Sequence, residues 1–453
     1  MKKLKTILIL FFSSLFVSSF SSSEIKYWQK DNLLLINKDS ISMEMLNELN
    51  RDFSLWYPLS IDTVFGGFFS DIDYKWKLDG AQNKMIVSQA RHVWSTSNVS
   101  LFYSKDRKLL KIAEHGFQFL KNFMWDKKYG GFYELVDRKG KPIKDNGRFI
   151  KTAYGNSFAI YGLAKYYEAS RDTSALNLAK QTFYWLENHS YDSKYGGFFQ
   201  YMSREGEPFR EGYKNTPPKD QNSSIHLLEC LTGLYKVWKD KLVKERLSSL
   251  LVLIRDKITT EKGYLNLFFT QDWAPVSYRD SSEKIRKQNY YFDHVSFGHD
   301  IETAYLMLEA SDVLSIERDT TTLMKAKKMV DHTIKNGWDK QNGGIYDGGY
   351  YYKKDEYPVI VKDTKEWWGQ VEAMNSFLMM ADLFPDNSLY YYDMFCRQWN
   401  YIKKYLIDEI NGGWYWGGKD EVPKIINFPK GSIWKVNYHT SRGLINCIRR
   451  LKE

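Results

Sequence analysis

The chain is expected to be all-α: an (α/α)6 barrel of six helical hairpins with short β-hairpin loops. Two observations predict this. A Gly-Gly turn followed by a large apolar residue recurs at Gly66-Gly67-Phe68, Gly130-Gly131-Phe132, Gly196-Gly197-Phe198, Gly343-Gly344-Ile345 and Gly412-Gly413-Trp414, with a degenerate copy at Lys262-Gly263-Tyr264. The copies follow one another at steps of 64, 66, 66, 81 and 69 residues, and repetition at a near-fixed period marks a repeat architecture. The second observation is that a helix-period segment lies on each side of every turn.

Taken in order, the segments before the turns cover residues 41–56, 107–123, 174–189, 241–258, 320–336 and 388–405. Those after the turns cover 87–103, 152–170, 223–240, 299–314, 366–383 and 438–451. Apolar residues in them recur at i, i+3, i+4 and i+7, the pattern of one buried helical face. The glycines supply positive φ, and the short aromatic tails behind them read as β-hairpin arms. The later helix of each pair is richer in apolar and small residues, so it is expected to form an inner ring. The even step favours a closed ring over an open solenoid. Pro is scarce and no Gly/Ser linker occurs after residue 24, so residues 24–453 are expected to form a single domain.

Composition narrows the function classes. The net charge of +10 is spread over interspersed acids and bases with no long basic block, and no nucleic-acid-binding motif is present, so no nucleic-acid partner is expected. Cys230, Cys396 and Cys447 are widely spaced in apolar helical contexts and read as free thiols. Lys2, Lys3 and Lys5 precede an apolar run from Ile7 to Val17 and a Ser-rich stretch. Residues 1–23 therefore read as a secretory signal, with an exported, periplasmic protein, no stable membrane span after cleavage and a monomer expected. The aromatic fraction of 17%, with 15 Trp and 33 Tyr, is of the kind found where flat apolar ligands, sugars included, are held against ring faces.

Unusual polar residues cluster in the first turns of the inner helices: Arg91; Tyr154 and Asn156; Asn222 and His226; His299 and Glu302; Trp367, Trp368, Gln370 and Glu372; then Trp434, His439 and Arg442. In a closed barrel with parallel inner helices these heads meet at one mouth. His299 and Glu302 are three residues apart, which puts them on one helix face. A helix N-terminus disfavours a protonated imidazole, and a neutral His beside a carboxylate suits proton transfer near pH 7. The plain alternative for this stretch is a helix cap, Asp300, with a buried, satisfied His. His92, His115, His189 and His332 read as packing residues, and His294 lies in a loop near the mouth. The three site histidines come from separate helices without metal-ligand spacing, and no dinucleotide or phosphate fingerprint follows a strand, so neither metal nor cofactor is expected.

Four motifs, His-Leu-Leu-Glu at 226–229, Gly-His-Asp-Ile-Glu at 298–302, Trp-Trp-x-Gln-x-Glu at 367–372 and Trp-Lys-x-x-Tyr-His-x-x-Arg at 434–442, occur in the order found in the N-acylglucosamine 2-epimerase superfamily. The chain resembles that superfamily over nearly its whole length after the signal, and within it the cellobiose 2-epimerases. The resemblance implies cofactor-free epimerisation at C2 of the reducing-end sugar of a β-1,4-linked disaccharide, through ring opening and an enediolate. It implies that His299 and His439 are the general acid/base pair, assisted by His226, with Arg91 near the reacting oxygens. It further implies that Tyr154, Asn222, Glu302, Trp368, Glu372, Trp434 and Arg442 hold the sugar. Tyr305 stands in place of a usual Trp near the sugar, Asn437 in place of a Pro and Thr440 in place of an Asn, departures that bear on which sugar is taken. Mannobiose 2-epimerisation, monosaccharide aldose–ketose isomerisation, glycoside hydrolysis and non-catalytic sugar binding are the competing functions.

Overall fold

A computed structural model describes residues 22–352 and 355–452; the expected signal falls, over residues 1–21, outside the described residues. Thirteen α-helices occur among these: α1 (Ser22–Trp56), α2 (Ile86–Phe102), α3 (Arg107–Phe119), α4 (Ala153–Ser170), α5 (Thr173–His189), α6 (Gln221–Val237), α7 (Lys241–Leu253), α8 (Glu283–Asn289), α9 (Phe297–Val313), α10 (Thr320–Gly337), α11 (Trp367–Leu383), α12 (Ser388–Tyr401) and α13 (Tyr438–Lys452). Helices α2, α4, α6, α9, α11 and α13 form the inner ring. Each packs on the next, and α13 packs back on α2, which closes the barrel. Inner helices are buried on nearly every side, as α2 is from Ile86 to Ser100, because both the ring and the outer layer cover them. Aspartates at Asp106, Asp172, Asp240 and Asp319 accept backbone N–H groups at the starts of outer helices α3, α5, α7 and α10, which satisfies donors a helix start leaves free.

The helix pairing differs from the one expected. Links of two to six residues join each inner helix to the following outer helix, so the tight hairpins are α2/α3, α4/α5, α6/α7, α9/α10 and α11/α12. The outer helix α1 completes the sixth pair by packing on α13 from the other end of the chain. The glycine turns lie instead in the long connections from an outer to an inner helix, and those connections carry the strands. The step of 81 residues is explained by an insertion, α8 and the 3-10 turn Tyr290–Phe292, in the connection before α9.

The residues behind the glycines form the expected local hairpin arms, with single antiparallel bridges Ile61↔Phe68, Trp125↔Phe132, Tyr191↔Phe198, Thr259↔Leu265, Trp338↔Ile345 and Ile407↔Trp414 across the turns, and most of the longer strands are joints between neighbouring repeats. β1 (Lys84–Met85) pairs with β2 (Leu135–Val136), β3 (Ile150–Thr152) with β4 (Tyr201–Ser203), and β5 (Lys219–Asp220) with β6 (Phe268–Phe269); β8 (Gly348–Tyr350) pairs with both β7 (Val295–Ser296) and β9 (Val359–Lys362). Single bridges Glu366↔Gly417 and Ile72↔Gly431 complete the circuit. Every repeat is therefore hydrogen-bonded to the next on the side where the inner helices begin.

Each full glycine turn carries an aspartate four residues before its first glycine. At the first turn Gly66 and Gly67 have φ of +81° and +67°, the Asp62 carboxylate accepts the Val64 and Phe65 N–H groups, and Lys84 Nζ reaches it at 3.0 Å. Fully buried lysines repeat this bond: Lys151–Asp126 at 3.2 Å, Lys219–Asp192 at 2.8 Å, Lys365–Asp339 at 2.7 Å and Lys430–Asp408 at 2.7 Å. The degenerate turn, one residue shorter, has Thr260 at the aspartate position and Val295 at the lysine position. Both partners are replaced together, as expected where a lone buried charge would cost several kcal/mol.

Candidate active site

The heads of the inner helices converge on a cavity of about 620 Å³. Two devices set their positions. The strand joints fix where each helix begins, and buried side chains near the helix starts clamp the glycine turns: Gln89, Asn156, Asp300 and Gln370 accept the backbone N–H of Phe68, Phe132, Leu265 and Ile345 at 2.8, 2.8, 2.9 and 2.9 Å. Asn156 and Gln370 are thus structural. Asp300 is not a cap. It is fully buried, and burial raises its carboxyl well above the ordinary range.

Of the expected site residues, Tyr154, Asn222, His299, Trp368 and Trp434 line the cavity. Asn222 Oδ1 is buried without a hydrogen-bond partner, and the Trp434 ring stands 47% exposed at the rim. Beneath them lie Arg91, His226, His439, Glu302, Glu372 and Arg442, each 5% exposed or less. Arg91 donates to the Tyr154 hydroxyl at 3.1 Å and the Trp434 carbonyl at 3.2 Å, and its guanidinium lies over the Phe158 ring at 4.4 Å.

Two imidazoles lie against the Trp368 indole, His299 at 4.7 Å and His439 at 5.8 Å between ring centroids. The glycine before His299 makes room for this: a Cβ on Gly298 would lie 2.7 Å from the Trp368 ring. Trp368 Nε1 donates to Glu366 at 2.9 Å, and Glu366 in turn pairs with Lys362 at 3.1 Å. His299 does not bond Glu302. Its Nδ1 is 2.7 Å from the Ser296 hydroxyl. Burial, with repulsion from His226 and other nearby positive groups, pushes its pKa down to about 3. Burial also takes His439 well below the usual value, so both rings are neutral near pH 7. The His-x-x-Glu pair that does bond is His226–Glu229, at 2.9 Å.

Arg442 is the hub of the floor. One of its Nη2 hydrogens points to Glu302 at 2.6 Å and another to Glu372 at 2.8 Å, while Nη1 reaches Glu229 and the Tyr438 hydroxyl. Glu372 Oε1 also takes His439 Nδ1 at 2.8 Å. An ionised carboxylate can only accept, so that bond places the proton on Nδ1 and leaves Nε2 as the basic nitrogen. Burial would raise Glu229, but Arg442 and His226 hold it down to about 2. Burial raises the Glu372 carboxyl against the pull of Arg442. Glu302, Glu372 and His439 bring their ligand atoms within 4.8 Å of one another, but the Arg442 guanidinium already sits between the two carboxylates. Lys365 Nζ likewise fills the second acidic cluster, 2.7 Å from Asp339 and 2.7 Å from Asp420.

Other expectations resolve as follows. Trp367 is buried against Trp416. Tyr305 lies away from the His299 cavity, in a pocket of about 90 Å³ on the other side of Arg442. His294 lines the main cavity and its Nδ1 is 3.2 Å from the carbonyls of Tyr290 and Tyr291. His92 meets the Tyr57 hydroxyl at 2.8 Å, His115 the Gly67 carbonyl at 3.0 Å and His332 the Tyr351 hydroxyl at 2.9 Å, all packing roles. Cys230 and Cys447 are buried free thiols, and Cys396 is half-buried. Sequence reasoning missed Ser296, Glu366 and Tyr438, and gave Glu229 no role although it repeats the i,i+3 spacing noticed at His299.

Similarity to known proteins agrees with this geometry. Along 419 residues the chain is 28% identical to the cellobiose 2-epimerase of Bacteroides fragilis, covering 91% of this chain and 99% of that one. Along 420 residues it is 30% identical to the cellobiose 2-epimerase of Ruminococcus albus, covering 90% and 99%. The solved cellobiose 2-epimerase of Spirochaeta thermophila superposes with a TM-score of 0.79 at 28% identity, covering 92% of this chain and 98% of that one. The family profile described as N-acylglucosamine 2-epimerase matches residues 67–441, so the chain, whose barrel brings the same helix heads together, belongs to that family.

Proposed function

We propose that the protein is an isomerase, a 2-epimerase acting on the reducing-end sugar of a β-1,4-linked disaccharide of the cellobiose type. The observation that carries this reading is the pair of imidazoles, His299 from helix α9 and His439 from helix α13, brought together against the Trp368 ring. Epimerisation needs a base on one face of C2 and an acid on the other. Once the sugar ring has opened, the C1 aldehyde acidifies the C2 proton. His299 or His439 removes it, an enediolate forms, and the partner histidine delivers a proton to the opposite face, with the reverse reaction exchanging the roles. Glu372 locks His439 with Nε2 free, whereas the Ser296 hydroxyl can donate or accept and so tolerates either tautomer of His299. Arg91 and His226 stabilise the oxyanion, with Arg91 held in place by Tyr154 and Trp434; such contacts are worth several kcal/mol in a water-poor site. Tyr154, Asn222, Trp368 and Trp434 hold the two sugar units. Glu302, Glu372 and Arg442 act from below, by orienting the histidines. No cofactor enters the scheme.

The carboxylates argue against inverting hydrolysis. The ligand oxygens of Glu302 and Glu372 lie within 4.8 Å of each other and both bind Arg442, whereas an inverting pair needs about 6.5–9.5 Å with room for a water. The rim position of Trp434, beyond the histidines, favours a disaccharide over a monosaccharide.

The test is proton NMR of the protein in D2O with cellobiose and, separately, with β-1,4-mannobiose. Deuterium at C2 together with accumulation of the 2-epimer is the expected result and identifies the preferred sugar. A ketose product would make the protein an aldose–ketose isomerase, and free monosaccharides would make it a hydrolase. We also read residues 1–23 as an export signal and the mature protein as a periplasmic monomer; sequencing the N-terminus of protein recovered from its host checks the first point and light scattering the last.

A further inference from the structure

The epimerase scheme leaves one titratable ring of the main cavity without a task. His294 lines that cavity, at the point where the insertion of the fourth repeat ends and β7 begins. Side chains on a strand alternate between its two faces. His294 therefore shares a face with Ser296, whose hydroxyl meets His299, while Val295 between them is turned away and fully buried. The second repeat shows the same alternation: Ile150 and Thr152 line the cavity, and Lys151 between them pairs with Asp126. Two residues along a strand span about 7 Å, roughly the breadth of one pyranose with its hydroxyls. His294 is also among the groups whose positive charge would depress the pKa of His299.

The insertion sets the tautomer of this ring as well as its place. The turn Tyr290–Phe292 presents the carbonyls of Tyr290 and Tyr291 to His294 Nδ1, 3.2 Å from each. Carbonyl oxygens only accept, so the proton lies on Nδ1 and Nε2 is left as an acceptor. No hydrogen bond among the described residues uses it. Burial lowers the pKa of the ring and nearby Lys362 adds to the effect, which keeps it neutral near pH 7. A donor stands beside this acceptor. Gly348 lies between the two side chains: a Cβ there would come 3.5 Å from His294 Cδ2 and 3.3 Å from Lys362 Cβ. Lys362 also lines the cavity. Its ammonium pairs with Glu366 at 3.1 Å and Asp347 at 3.5 Å, and one of its three hydrogens remains. A hydroxyl both donates and accepts, so it matches a neutral imidazole nitrogen beside an ammonium hydrogen. Trp368, bonded to the same Glu366, supplies the ring face next to this corner.

We propose that His294 is a sugar-binding residue: its Nε2 accepts a hydroxyl of the reducing-end unit, and Lys362 donates to that same hydroxyl. This role rests on the epimerase reading for the identity of the ligand, but not for the free acceptor. Asparagine and glutamine separate the two ends of the ring, because the Asn amide falls near the place of Nδ1 and the Gln amide near that of Nε2. The experiment measures KM, kcat and melting temperature of the parent, His294→Asn and His294→Gln proteins on cellobiose and on β-1,4-mannobiose. His294→Asn keeps the bond to the turn carbonyls and loses the sugar contact. Its KM should rise about five- to tenfold, with kcat within about threefold and the melting temperature unchanged. His294→Gln should bring KM back to within about twofold of the parent, even where its melting temperature falls. Equal KM in all three proteins, or a KM that follows melting temperature instead of the position of the amide, would overturn the contact and leave His294 a clamp on the turn. Should neither sugar be turned over, quenching of tryptophan fluorescence measures Kd for the same two sugars. Binding weakened at least fivefold by Asn and not by Gln keeps the contact and discards the epimerase. Equal binding in all three proteins, or no binding to any, discards the contact.

Discussion

Replacing Glu372 with glutamine distinguishes holding the sugar from orienting a histidine. The carboxylate is fully buried, takes His439 Nδ1 at 2.8 Å and Arg442 Nη2 at 2.8 Å through the same oxygen, and leaves Oε2 without a partner. Glutamine keeps the shape and one acceptor but removes the charge that stabilises His439 when it holds a proton. At 2.8 Å and an effective dielectric constant of 20 the Coulomb attraction to an imidazolium is about 6 kcal/mol before desolvation. Measured hydrogen bonds to charged groups are worth about 1.5–3 kcal/mol net. The lower figure is the better guide, because Glu302 remains 4.0 Å from His439 and continues to supply negative charge. At about 1.36 kcal/mol per decade, kcat should fall roughly 10- to 150-fold, with KM changed less than about threefold. Arg442 keeps Glu229 and Glu302, so the barrel should fold. The assay is initial-rate kinetics on the disaccharide together with deuterium incorporation at C2. A raised KM with intact kcat would refute the reasoning and make Glu372 a sugar ligand.

Three further outcomes follow. Lys219→Val should destabilise the protein by about 3–5 kcal/mol by leaving Asp192 buried and unpaired, whereas Lys219→Val combined with Asp192→Thr, the pairing of the degenerate turn, should recover at least half of that loss in urea denaturation; a double variant no better than the worse single one sinks the compensation idea. Gly298→Ala should push the Trp368 ring, 2.7 Å from the added Cβ, and lower kcat/KM about tenfold or more, while helix propensity favours Ala by up to ~1 kcal/mol and the melting temperature does not drop. Finally, burial holds His92 and His299 near 3 and His332 near 4. These folded-state values lie below the unfolded one, so their contribution is present above about pH 6.5 and lost as pH falls. Burial raises Glu134 to about 7 and Asp220 to about 6. Their contribution is present below about pH 4 and lost as pH rises, which offsets the histidines between pH 4 and 6.5. Against burial, ion pairs hold Asp62, Asp408 and Glu229 near 2. Below pH 4 those contributions are lost as well, so the melting temperature should vary little from pH 5 to 7 and fall steeply below 4, as calorimetry can measure.

The barrel was legible because its period is written twice, once in the glycine turns and once in the apolar spacing of the helices. Helix starts came out within a residue or two wherever a polar cluster marked the head, as at Ala153 and Trp367. The seven residues of α8 escaped because they are exposed and polar, with no apolar face to give a period. The pairing of inner with following outer helices was hidden too, since segment order alone does not say which neighbour a helix leans on. The histidines and tryptophans of the mouth were readable as residue types. Depth was not: Glu302, Glu372 and Arg442 read as sugar ligands because nothing in the sequence separates the cavity wall from the layer under it. Asn156 and Gln370 looked functional for the same reason, although their amides serve the glycine turns.

The Arg442 hub also governs traffic. Its guanidinium joins carboxylates from α6, α9 and α11 to α13, and beyond it, among the described residues, lies a small pocket of about 90 Å³. The barrel is therefore a blind well with a charged partition across it. A sugar chain cannot thread through, and the product leaves by the opening through which the substrate came. Only a chain end can reach the bottom, and it has to arrive reducing end first. Internal units of a polysaccharide are out of reach, and each turnover ends in a withdrawal rather than a step along the chain.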